Sequence, residues 1–148
     1  MLPSQDTPYA LCAGTGKQAS WFTSSVTLKA SGPKFGAAEI VISPGEEPPL
    51  HIHKNEDEWF YMLDGEVSFH VGHETFRGQP GSFVLFPRGI AHTFTVESNS
   101  ARFLLMITPG GFERMFEANP QTPEDAGKAM MALECEIVGP HPRMAKAA

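Results

Sequence analysis

Three features of this sequence predict an all-β fold, an antiparallel sandwich or barrel, with short helices only after residue 111. Short runs rich in β-branched and aromatic residues recur at roughly eight- to twelve-residue spacing between residues 20 and 108. Gly 14 and Pro 13 in 148 residues punctuate those runs and leave little room for long helices. Helical spacing of apolar residues is confined to residues 112–116 and 122–133.

Residues 1–18 are polar and breaker-rich and are expected to form a loose arm ahead of a single domain at 19–140, with 141–148 as a tail. Residues 20–30 (SWFTSSVTLKA) read as one strand and 37–43 as a second. Pro48 and Pro49 have no N–H to give to a ladder, so 46–50 should be an extended approach to the next strand at 50–53. Residues 54–57 read as a polar turn and 58–63 as a strand, with Asp64-Gly65 as a hairpin signal into 66–71. Turns at Gly72-His73 and Gln79-Pro80-Gly81 bound strands at 74–77 and 82–86, and further strands are expected at 92–96 and 102–108. Phe112, Met115 and Phe116 are spaced for a short helix. A second helix should start at Thr122 as N-cap, with Pro123 at its first position, Glu124 and Asp125 in its first turn, and its end before Gly139. This second helix is expected to be a packing element or a lid.

The bulk numbers exclude several functions. The net charge is −6 with no cluster of Lys or Arg, so nucleic-acid binding is not expected. Uninterrupted apolar runs, such as 103–107, reach only five residues, too short to span a bilayer. No basic region followed by an apolar core opens the sequence, so a secretory signal is not expected. Cys12 and Cys135 share no ligand spacing and read as free thiols of a cytoplasmic protein.

The chemistry concentrates in two stretches. Residues 45–65 carry His51, His53 and Glu58; residues 81–92 end in His92. In an extended segment alternate side chains share a face, so His51 and His53 point one way and Leu50 and Ile52 the other. Three imidazoles and a carboxylate suit one borderline divalent ion: Fe, Mn, Ni, Co, Cu or Zn. In an octahedral arrangement four such ligands leave two adjacent positions open for water, O2 or an oxygen-bearing substrate. The same alternation puts Phe60 and Met62 beside Glu58, and Phe94 and Val96 beside His92, as an apolar pocket wall suited to an aromatic or enolic small molecule. Arg88 is placed to meet an anion at the mouth. Trp59 and Tyr61 should face away as outer packing or dimer contacts, and His70, His73 and His141 should be exposed non-ligands.

These two stretches resemble the cupin family. The first fits G-x5-H-x-H-x4-E-x6-G at Gly45, His51, His53, Glu58 and Gly65; the second fits G-x5-P-x-G-x2-H at Gly81, Pro87, Gly89 and His92. The family's following Asn is replaced here by Val96. The surrounding residues, with the helix segment at 109–116 and the ending at 136–140, look like the small single-domain cupins of quercetin dioxygenase-like kind. The resemblance implies a jelly-roll β-barrel, metal ligands at His51, His53, Glu58 and His92, a catalytic role for Glu58 in taking a substrate proton, and frequent homodimers. The free edge of the first strand is one candidate for pairing with a partner. Three functions are compatible: a metal-dependent dioxygenase, an O2-independent isomerase or lyase acting on a keto or enol compound, and a non-catalytic binding cupin.

Overall fold

The computed structural model describes residues 1–146. Its strands are β1 (Lys17–Trp21), β2 (Ser24–Ala30), β3 (Gly36–Ile42), β4 (Leu50–His53), β5 (Asp57–Asp64), β6 (Val67–Val71), β7 (Glu74–Gly78), β8 (Phe83–Phe86), β9 (His92–Val96), β10 (Ala101–Thr108) and β11 (Cys135–Gly139). A 3₁₀ helix (Phe112–Ala118), α1 (Pro123–Ala132) and α2 (Pro142–Lys146) complete it. The strands form two antiparallel sheets. Sheet A has the order β1-β2-β3-β10-β5-β8 and sheet B the order β11-β4-β9-β6-β7. This is the expected all-β jelly roll, left as two facing sheets rather than closed into one continuous barrel.

Alternation explains the packing. In β2, Val26 and Leu28 are buried while Ser25 is exposed; in β10, Phe103, Leu105 and Ile107 point inward. Each such side chain contributes about 1.5–3 kcal/mol on burial. Gly65 takes φ 80° at the hairpin between β5 and β6, a conformation only glycine adopts at no steric cost. Thr122 caps α1 by accepting from Asp125 N at 3.1 Å, with Pro123 in its first turn.

Four expectations are corrected. The run 20–30 is two strands, broken at Phe22 (φ 55°), because the Glu46 carboxylate accepts from Thr23 N, Thr23 Oγ1 and Ser24 Oγ. The supposed loose arm already contains the start of β1, and it is tied down where Gln5 Nε2 donates to Phe35 O (2.5 Å) and Tyr9 Oη–H to Lys29 O (2.9 Å). The chain does not run from α1 straight to Gly139: β11 intervenes and pairs with β4, Cys135 opposite His53. His141 is buried, not solvated, and its Nε2–H donates to Phe94 O at 2.8 Å.

The last correction has a physical cause. Strands β4 and β9 pair only at His51 and His92, because the chain before β4 is Pro48-Pro49. The groups β9 leaves unpaired find other partners: Phe94 O takes His141, Val96 N donates to Glu47 Oε2 (2.9 Å), and Val96 O accepts from Arg143 Nη2 (2.6 Å). Buried backbone polar groups are thus satisfied by residues distant in sequence. Glu113 is also buried and accepts from Gly32 N (3.0 Å) and Gly111 N (2.6 Å). That carboxylate fastens the start of the 3₁₀ helix to the β2–β3 turn, over the mouth of the barrel.

Candidate metal centre

His51, His53, Glu58 and His92 come together in the interior, all buried, with one donor atom from each lying within 4.8 Å of the others. Three strands hold them. β4 supplies both of its inward residues, β9 supplies His92 directly opposite His51, and β5 supplies Glu58 from the other sheet. An ion bound to all four would therefore join the two sheets. Opposite ligands on a metal with bonds of about 2.1 Å sit about 4.2 Å apart, so the donors need only a small contraction.

The rings are aimed by what lies behind them. His51 Nδ1–H donates to Pro49 O at 2.7 Å and His92 Nδ1–H to Ile90 O at 3.2 Å. A carbonyl only accepts, so Nδ1 carries the proton and Nε2 presents its lone pair to the cluster. His53 Nδ1 lies 3.7 Å from the Glu56 carboxylate. His92 stacks on Phe86, and His53 meets Phe112 edge-on, with centroids 4.3 and 4.2 Å apart.

Inward, Glu58 Oε1 and Oε2 stand 3.2 Å from His53 Nε2 and His92 Nε2. These approaches are close without being hydrogen bonds: both Nε2 atoms are buried and make none. Buried polar atoms without partners are costly, and two of them converging on one carboxylate fit a divalent transition ion. Electrostatics agree. Burial would raise the Glu58 carboxyl, but the facing His53 and His92 hold it well below the usual range. Burial lowers His51 to about 3, reinforced by His92, so it is neutral. Burial also opposes charge on His53, yet the Glu58 and Glu56 carboxylates override it and raise this ring to about 9.

His51, Glu58 and His92 face a cavity of about 50 Å³. A cavity needs about 10–15 Å³ to hold one water, so this one is large enough for water or a small ligand group. Phe60 and Phe94 are on its wall, joined by Trp21, Phe86 and Phe103; Phe112, Met115, Phe116 and Met130 close it from the 3₁₀ helix and α1. Met62 does not line it. Alternation carries Met62 one pleat further along β5, where it packs with Phe69 over Gly78; Val96 is likewise too far along β9. Arg88 does not line the cavity, and its guanidinium is paired with Asp57 at 3.1 Å. Tyr61 is exposed on the outer face. His70 is half-buried and contacts Thr75 and Thr95. Glu56, in the turn immediately before β5, was missed in the sequence.

A buried three-histidine, one-carboxylate cluster between two antiparallel sheets could hold a metal ion. Residues 38–108 match the Cupin domain family model, and the chain belongs to the cupin superfamily. It is 27% identical over 119 residues, 78% of its length, to quercetin 2,3-dioxygenase of Bacillus subtilis. The chain spans about a third (35%) of that relative's length. Among solved structures it is similar to an RmlC-like cupin from Shewanella frigidimarina, with TM-score 0.60, 14% identity, and 69% and 90% of the two chains covered. It is also similar to the TT1209 protein from Thermus thermophilus, with TM-score 0.54, 26% identity, and 58% and 83% covered. No helix among the described residues is long and apolar enough to cross a membrane.

Proposed function

We propose that this cupin is a metal-dependent dioxygenase of quercetinase-like kind, acting on a small enolic or aromatic oxygenated molecule. One observation carries the reading: the polar cluster of His51, Glu58 and His92 opens onto a cavity otherwise lined almost wholly by apolar side chains. A ligand there is recognised by oxygen at one end and apolar contact elsewhere, which disfavours free sugars. His51, His53, Glu58 and His92 would hold one divalent ion, which supplies a Lewis acid with positions left for oxygen ligands.

The chain's own residues do the rest. His51, kept neutral by burial, and His92 both turn Nε2 inward because backbone carbonyls accept from their Nδ1–H groups. Glu58, ionised, accepts the hydroxyl proton of an entering enol through whichever carboxylate oxygen is free. Its depressed pKa limits its strength as a base, so it works best on an acidic enol or phenol. Phe60, Phe94 and Phe86 exclude water.

The cavity's size favours a compact substrate over a flavonol unless the Phe112–Met130 cover moves. The same small size supports a second reading, an O2-independent isomerase or lyase on a small keto or enol compound. Oxygen-electrode assays with β-diketones and flavonols, on protein loaded in turn with Fe, Mn, Co, Ni, Cu and Zn, test the first. Uptake abolished in Glu58→Gln is expected. Turnover that persists under strict anaerobiosis transfers the assignment to the second reading, and ligand binding without turnover in either atmosphere refutes both.

A further inference from the structure

The cavity beside the cluster is closed. Of the residues around it only Pro48 is partly exposed, and the rest are buried. A molecule larger than water therefore reaches His51, Glu58 and His92 only when part of the wall moves. Most of the wall is sheet, held by ladders of backbone hydrogen bonds. Pro48 is tied as well: its carbonyl accepts from Thr93 Oγ1 at 2.7 Å, and the preceding Glu47 accepts from Val96 N at 2.9 Å. That leaves the cover, to which the 3₁₀ helix contributes Phe112, Met115 and Phe116 and α1 contributes Met130.

The two pieces of the cover are fastened differently. The 3₁₀ helix is fixed to the barrel through Glu113, which accepts from Ser31 Oγ, Gly32 N and Gly111 N at 2.9, 3.0 and 2.6 Å. Glu117 pairs with Lys17 of β1 at 2.9 Å, and Asn119 Oδ1 accepts from Ser20 N at 3.0 Å. By contrast, among the described residues no side chain of α1 makes a hydrogen bond or ion pair outside the helix and its cap; Lys128 pairs with Glu124 of the same helix. Only Ala126 and Met130 of its ten residues are buried, with Ala129 partly buried against the core. Apolar contact holds it, with Gly127 close to Ile137 of β11. Its polar attachments lie beyond its two ends. Pro120 O accepts from Phe22 N at 2.9 Å before it, and Glu134 Oε2 accepts from Asn55 Nδ2 at 2.6 Å after it. At each end a residue other than glycine takes the left-handed conformation, Asn119 at φ 46° and Glu134 at φ 64°. Such positions at the ends of elements are where hinges absorb a rotation.

We propose that α1 is the gate through which ligands enter the cavity, turning on Asn119 and Glu134, and that Met130 is its plug and sets the size of molecule admitted. Met130 is 1% exposed and is the one side chain of α1 on the cavity wall. Its unbranched thioether chain fills irregular space and yields readily. Lifting α1 withdraws Met130 from the wall while Phe112, Met115 and Phe116 stay in place. The molecules this gate suits are neutral and apolar along most of their length, because among the described residues no Lys, Arg, Asn or Gln is on the cavity wall.

Stopped-flow fluorescence with iodobenzene, a neutral heavy-atom quencher, tests this on the full chain carrying Trp59→Phe. Trp21 is then the only tryptophan, and it lines the cavity. Met130→Ala should raise the entry rate at least about tenfold, because entry scales with the open fraction and the truncation removes burial from the closed state alone. The milder Met130→Val should give a smaller gain in the same direction, and serves if the alanine variant does not fold. Met115→Ala, which trims the same side chain on the fixed piece of the cover, should change the rate by no more than about twofold. Iodonaphthalene, a larger probe, should quench Met130→Ala and leave the parent unquenched. Equal acceleration by Met115→Ala, no acceleration by either Met130 variant, or no quenching in any of the chains overturns the proposal. Acceleration by Thr93→Val, which frees Pro48, in place of Met130→Ala overturns it in favour of entry at Pro48. No metal and no turnover are required, so the outcome is independent of the catalytic reading.

Discussion

The two ends of the barrel interior are built on opposite terms. At the far end, Met62, Val67, Phe69 and Val96 are fully buried, and Phe69 lies 5.1, 5.9 and 6.3 Å from Phe60, Phe86 and Phe94 by ring centroids. At the near end the same two sheets bury four polar side chains, leave three imidazole nitrogens without hydrogen bonds, and keep a cavity. One end maximises packing, which stabilises the fold. The other gives up packing and polar satisfaction, which are the usual costs of a binding site. Substitutions at the two ends should therefore separate stability from function.

The largest effect belongs to the near end. His92→Ala should abolish stoichiometric metal binding by elemental analysis while the thermal melt of the metal-free chain remains cooperative, since the aromatic core is intact. Unfolding of the metal-free variant would instead make the cluster a structural element. At the far end, Phe69→Ala should cost about 3–5 kcal/mol in urea denaturation and leave one ion per chain. If it also loses metal, the two ends are coupled.

The next effect is pH dependence. In the metal-free chain His53 is raised from 6.5 to about 9, so its contribution to stability is fully present below about pH 6.5 and is lost as pH rises towards 9. Metal binding must displace that proton and runs the other way. Affinity should rise about tenfold per pH unit up to about pH 9, as competition with a chromophoric chelator would show. A flat profile would mean that His53 is already neutral. Smallest is the thiol behaviour: burial, with the nearby Glu58 and Glu56 charges, pushes Cys135 up to about 12. A thiol reagent at pH 8 should modify exposed Cys12 alone, and both thiols once the chain is unfolded.

Much of this was legible in the residues. The period-two reading of His51, His53, Glu58, Phe60, His92 and Phe94 places them correctly because strands enforce that period wherever one face is buried. It fails at Met62 and Val96 because alternation fixes a side chain's face and not its depth along the barrel. The break at Phe22, the burial of His141 and the strand β11 were hidden for another reason. Each depends on a partner far away in sequence: Glu46 for the turn, Phe94 O for His141, β4 for β11. Glu56 was hidden among its polar turn neighbours Lys54 and Asn55, outside the strand whose period places Glu58. The cover made by Phe112, Met115, Phe116 and Met130 follows from helical spacing only once the barrel mouth is known to lie beneath it.

The most direct test is a titration of metal-stripped protein with Co(II), followed by visible absorption and calorimetry. The account predicts one ion per chain, with ligand-field bands that disappear in His92→Ala and Glu58→Ala but persist in Phe69→Ala. No binding, or the same bands in all three variants, would contradict it.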